Sequence, residues 1–96
     1  MIVHIVMFKF KDEDKYDNIL TVKGMLEKLP SKIDVLKKME VGIDFNHSER
    51  AYDMSLYSTF ETKDDLALYA THPAHLEVLA LIKEVVEKTK VVDYEK

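Results

Sequence analysis

No cysteine occurs among the 96 residues, which excludes disulfides, thiolate metal sites and a cysteine nucleophile. Glycine is nearly as scarce. Gly24 and Gly42 are the only two, so there is no glycine-rich loop to cradle the phosphates of a dinucleotide or nucleoside triphosphate. No apolar run approaches the ~18 residues that a membrane span requires. Basic residues are outnumbered, with 14 Lys and Arg against 18 Asp and Glu and a net charge of −4. That balance argues against a nucleic acid or an anionic membrane as partner, and the pair Lys37-Lys38 is too small a cluster to change it. The chain enters a strand-like segment at once, without the basic stretch and cleavage site of a secretory signal. A cytoplasmic location is the expectation.

What is present suits one small domain over residues 1–96, with 47% hydrophobic and 33% charged residues, a composition usual for globular chains. A domain of this size is marginally stable alone, so association would help it. Ile2 to Phe10 is rich in β-branched and aromatic residues and reads as a strand. Ile2, His4, Val6, Phe8 and Phe10 share one face, and Val3, Ile5 and Met7 share the other. Both faces are apolar, so burial on both is expected. A helix is expected to start at Asp12 or Glu13 and run to Leu29. Its stripe is Ile19, Val22, Leu26 and Leu29, and Pro30 ends it. Val35 to Ile43 reads as a strand, Asp44 to Arg50 as a polar loop with a solvated His47, and Tyr52 to Phe60 as a strand that alternates clearly. Thr62, followed three residues on by Asp65, resembles a capping box and opens a helix through Leu66 and Tyr69.

Pro73 then punctuates the chain. It has a fixed φ and no N–H, so it suits the first turn of a helix and disfavours helix at His72. One helix should stop near Thr71 and a longer one start at Pro73, with Leu76, Leu79, Ile82 and Val86 as its inner stripe. Lys90 to Tyr94 reads as a short last strand, with Val91 and Asp93 on one face. The order βαββαβ is the ferredoxin-like α+β arrangement, an antiparallel four-stranded sheet with helices on one face. The uncovered apolar face of Val3, Ile5 and Met7 predicts a second sheet against it, most simply that of a symmetric homodimer.

The stretches His4 to Lys11, Tyr52 to Glu61, Tyr69-Ala70-Thr71-His72-Pro73-Ala74-His75 and Val92-Asp93-Tyr94 occur in the order found in the stress-responsive A/B barrel family. The chain resembles that family over nearly its whole length. The resemblance implies a dimeric α+β barrel in which two sheets meet face to face. It also implies a site, because a plant polyketide cyclase of the family works without a cofactor through a tyrosine and a histidine matching Tyr69 and His75. A histidine matching His4 and an aspartate matching Asp93 lie near them in that enzyme. Its first helix offers aromatic residues to the pocket where this chain has Asn18, Ile19 and Val22, so the pocket must differ in shape. Related barrels include cofactor-free monooxygenases and haem-degrading enzymes.

The residues themselves suggest the chemistry. A phenol (pKa roughly 10) beside an imidazole (pKa roughly 6.5) forms an acid–base pair useful near neutral pH. His75 is the candidate base, Asp93 the candidate acceptor fixing its tautomer, and Tyr69 the donor to a carbonyl or enolate oxygen. Such groups suit proton abstraction beside a carbonyl, as in cyclisation, isomerisation or lyase chemistry, with no cofactor. A small-molecule ligand is expected among Val6, Phe8, Ile19, Val22, Leu56 and His72, with His4 at the wall. The bland readings stand beside these: Tyr69 and His75 as core residues that satisfy each other, His4 as a satisfied core histidine, and His72 as a helix-start residue donating to a backbone carbonyl. A zinc site on His72 and His75 is disfavoured, because metal-binding helices more often place His at i and i+4. The alternative to an enzyme is a ligand-binding or structural dimer without turnover.

Overall fold

The computed structural model describes residues 1–96. Its elements are β1 (Ile2–Phe10), α1 (Lys15–Glu27), a 3-10 turn (Leu29–Ser31), β2 (Lys38–Ile43), β3 (Met54–Phe60), α2 (Lys63–Thr71), α3 (Pro73–Val85) and β4 (Val86–Glu95). The four strands form one antiparallel sheet in the order β2-β3-β1-β4. This is the ferredoxin-like topology, with β1 and β3 central. No helix is long and apolar enough to cross a membrane.

The two-sided strand lies where its composition requires. Its even-numbered face, Ile2, Val6, Phe8 and Phe10, is buried against α1 and α3 in a core that also holds Val22, Leu26, Leu56, Phe60 and Ile82. The odd-numbered face looks away from the helices. There Ile5 sits between Tyr57 and Val92, and Met7 between Ser55 and Lys90. Met7, Val92 and Tyr94 are 42%, 57% and 43% exposed, an apolar patch open on a chain that buries its other sheet face. Val3 departs from the rest of its row. It is fully buried, flanked by Thr59 on one side and Tyr94 on the other.

The expected boundaries shift at four places, each with a local cause. Helix α1 starts at Lys15, after Asp14 adopts a left-handed backbone with φ 50°, and its end passes into the 3-10 turn that accommodates Pro30. Strand β2 begins at Lys38 because Ile33 and Leu36 are buried in the preceding turn. Strand β3 begins at Met54, with Tyr52 and Asp53 in the approach to it. Strand β4 is twice the expected length, since α3 passes into it with no loop: Val86 caps the helix and is the first strand residue.

The inner stripe of α3 also differs. Leu76 is 49% exposed, while Val78 and Ile82 are buried. Pro73 starts the helix one residue after His72, and that start sets the phase. His75, Leu79, Ile82 and Val86, at spacings of four, three and four, face the sheet instead.

Candidate functional site

Helix α2 delivers Tyr69 and α3 delivers His75. The Thr62 hydroxyl caps α2 by accepting the Asp65 N–H at 3.1 Å, which fixes the start of a helix only nine residues long. Its end is set by His72, whose backbone is extended at φ −64° and ψ 135° ahead of Pro73. The His72 side chain then caps α3: Nδ1 accepts the Ala74 N–H at 3.0 Å. The expected donation from His72 to a carbonyl is thus corrected to acceptance at a helix N-terminus, the task usually given to Ser, Thr or Asp. His72 does not reach the cavity described next.

Between the sheet and α3 lies a cavity of about 420 Å³. Tyr69, His75 and His4 form one end of it, and Val6, Phe8 and Leu56 supply wall. Those six were expected there. Ile19 and Val22 were also expected, but they are buried in the core between α1 and the sheet and do not line the cavity; Leu26, one turn beyond Val22, does. Leu79, Ile82 and Val91 were missed as lining residues. The signal was available, because the α3 stripe runs directly into β4 and Val91 shares the inward face of that strand. The cavity opens beside β4, where Val91 remains half exposed.

Tyr69 is 1% exposed. Its ring packs on Phe60 at 5.1 Å and on His75 at 4.2 Å between centroids, with His4 edge-on at 6.3 Å. Its hydroxyl is buried and makes no hydrogen bond to the protein. Tyr69 and His75 therefore come together as expected, by ring contact and not by a hydrogen bond. Burial raises the phenol pKa well above its ordinary value, so the group is a neutral donor at any physiological pH. An unsatisfied buried hydroxyl costs about 1–3 kcal/mol, which makes this atom the conspicuous one in the site.

The His75 imidazole is held by the main chain. Nδ1 lies 3.1 Å from the Ala70 carbonyl oxygen. A carbonyl only accepts, so Nδ1 carries the hydrogen and Nε2 keeps its lone pair. Partial burial lowers the His75 pKa; the Ala70 hydrogen bond opposes that shift, and the nearby His4 and His72 add to it. A neutral imidazole with a free Nε2 results.

Asp93 is not its partner. Asp93 stands directly across the sheet from His4 and its carboxylate accepts the His4 Nδ1–H. The expected Asp93–His75 pair is corrected to two separate ones, His4 with a carboxylate and His75 with a carbonyl. His4 lines the cavity with its side chain 16% exposed, while Asp93 is 46% exposed and lies outside the lining. No group of three His, Asp or Glu side chains is arranged to hold a metal ion.

The model of the stress responsive A/B barrel domain matches residues 2–96. A stress-response A/B barrel domain-containing protein of Arabidopsis thaliana is 36% identical over 94 residues, covering 95% of this chain and 82% of that protein. A dimeric protein of unknown function and ferredoxin-like fold from Bacteroides fragilis is 39% identical and superposes with a TM-score of 0.91, covering 99% of this chain and 95% of its own. A hydroxynitrile lyase from Passiflora edulis is 23% identical with a TM-score of 0.85, covering 97% of this chain and 90% of its own; that likeness is one of fold.

Proposed function

This chain belongs to the stress-responsive A/B barrel family, and from that premise we propose that it works as a homodimer that binds a small carbonyl compound in the Tyr69–His75 cavity and moves a proton on it without a cofactor. The observation that carries this reading is the buried, unpartnered Tyr69 hydroxyl beside an imidazole whose Nε2 is free. A ligand carbonyl oxygen placed at that hydroxyl would satisfy it. The carbon next to the carbonyl would then lie near Nε2 of His75. Nε2 takes the proton from that carbon, the C–H electron pair moves toward the carbonyl, and the oxygen becomes an enolate held by the Tyr69 O–H. Return of the proton from His75 to another atom completes an isomerisation; alternatively the enolate carbon attacks a second carbonyl, whose π bond breaks and whose oxygen takes the proton back from His75, completing a ring closure. The apolar walls keep water from the enolate.

The dimer follows from the other face of the sheet. Met7, Val92 and Tyr94 form an exposed apolar surface that a second copy can cover with the same surface. The dimeric relative from Bacteroides fragilis supports this assembly.

Solvent exchange tests the proton transfer. Propiophenone, a phenyl ketone with an exchangeable CH2, is incubated in D2O with the protein and followed by NMR. Accelerated deuterium uptake that is lost in His75→Gln is the expected result. Binding with no acceleration would replace the enzyme by a ligand-binding dimer.

A further inference from the structure

The outer face of the sheet carries charge at its two edges, and the edges differ in sign. Residues opposite one another on neighbouring strands point to the same face. The outward row of Ile5 and Met7 on β1 therefore continues through Tyr57 and Ser55 on β3 and through Val92 and Lys90 on β4. On β2 it continues as Glu40, opposite Tyr57, and Gly42, opposite Ser55. The β4 edge is basic. Lys88 and Lys90 both face outward there, and Lys88 stands opposite Lys9. Like charges on neighbouring strands repel, and nothing within the chain offsets this. The β2 edge holds Glu40, the only acidic side chain in the paired rows of this face. Lys38, two residues earlier, lies over the Tyr57 ring at 5.6 Å. Glu40, Lys88 and Lys90 are exposed, and none of them joins an ion pair within the chain. They cannot pair with each other there. β2 and β4 are the two outermost strands, three strand spacings and so about 14 Å apart.

A second copy of the chain carries the missing carboxylate where the lysines need it. A twofold axis between two facing sheets and along their strands lays β4 of each copy over β2 of the other, at the same level. Glu40 is level with Val92 through Tyr57 and Ile5. Lys90 is two residues further along β4, about 7 Å, a gap that an extended lysine side chain spans. Gly42 is level with Lys90 and leaves room for it. Turning the second sheet end for end would instead lay β4 on β4, with the lysines against apolar side chains or against each other. Building on the proposed homodimer, we infer that charge orients it: Lys90, with Lys88 beside it, meets Glu40 of the partner subunit, once at each edge of the interface. Complementary charge of this kind fixes register and rejects the wrong orientation more than it adds affinity.

Charge reversal on the intact protein tests this. Glu40→Lys makes both edges basic, and Lys88→Glu/Lys90→Glu makes both acidic. Each variant alone should show a dimer dissociation constant about tenfold or more above that of the parent in sedimentation, because like charges now face each other. Mixed in equal amounts, with one variant carrying 15N, the two should form heterodimers well beyond random exchange when read by native mass spectrometry. Each edge of the heterodimer then joins opposite charges. If the lysines serve only to keep the β4 edge from pairing with stray strands, reversal should leave the dissociation constant unchanged. That result, or weakening without preferential heterodimers, would overturn the orientation while leaving the homodimer standing. A monomeric parent would overturn both readings.

Discussion

The two faces of one sheet use the same kinds of residue for different ends. The inner face closes within the chain: Val6, Phe8 and Leu56 are buried, and what remains is a bounded cavity with a few polar groups. The outer face stays open: Ile5 is flanked by Tyr57 and Val92, with Met7 and Tyr94 nearby and exposed. On the inner face the informative atoms are the polar ones that lack partners. On the outer face they are the apolar ones that lack cover. An unpartnered hydroxyl asks for a small ligand, and an uncovered apolar patch asks for a surface of matching size.

Breaking the outer face should have the largest effect. Ile5→Asp puts an unpaired carboxylate at the centre of the proposed interface, and burying it costs several kcal/mol. Sedimentation should show the parent as a dimer at micromolar concentration and the variant as a monomer. A monomeric parent would remove the barrel assembly altogether.

On the inner face, Tyr69→Phe should separate stability from binding. The hydroxyl has no protein partner, so its loss should leave thermal stability unchanged or raise it by about 1 kcal/mol. Affinity for a phenyl ketone should meanwhile fall by ~1–3 kcal/mol, the value of one oriented donor in a dry site. A loss of stability instead would make Tyr69 a packing residue with a satisfied oxygen.

A smaller effect should appear with pH. The His75 pKa is lowered in the folded chain, chiefly by burial. Between that lowered value and the unfolded value of roughly 6.5 the unfolded chain binds more protons. The contribution to stability is therefore fully present above about pH 6.5 and is lost as the pH falls below it, until the folded imidazole itself protonates. Denaturation curves should show this slope in the parent and less of it in His75→Gln.

The smallest effect sharpens the difference between the two imidazoles. Asp93→Asn removes the carboxylate that holds His4 and touches nothing that holds His75. The His4 ring resonances should move, and the NMR titration of His75 should not fall, because only the charge of His4 connects it to Asp93. A lowered His75 titration would restore the direct link between Asp93 and the proposed base.

Much of the frame was legible because it is local. Pro73 announced the break between two helices, Thr62 and Asp65 announced a cap, and the alternation from Met54 to Phe60 announced a strand. The meeting of Tyr69 with His75 followed from that break, with the family resemblance behind it. What was not legible depended on register and phase. Asp93 was rightly set on the face of β4 shared with Val91. Which β1 residue stands opposite it is decided by the pairing of two strands almost a whole chain apart, and nothing in either strand states the offset. The expected α3 stripe was off by one at its start, with Leu76 named where His75 faces inward. Capping by His72 was hidden because imidazole is not among the usual capping side chains.

The order of strands in the sheet also bears on how the protein comes to be folded in the cell. The central strand β1 is made from residues 2–10, yet one of its two neighbours is β4, residues 86–95. A ribosome therefore releases β1 well before the strand that flanks it. Until β4 emerges, β1 has apolar side chains on both faces and at least one unpaired edge, the condition in which nascent strands aggregate. The sheet closes only once β4 is available, through contacts of long sequence separation that form slowly. Chaperone dependence during synthesis would thus be a property of this topology and not of any weakness in the finished protein.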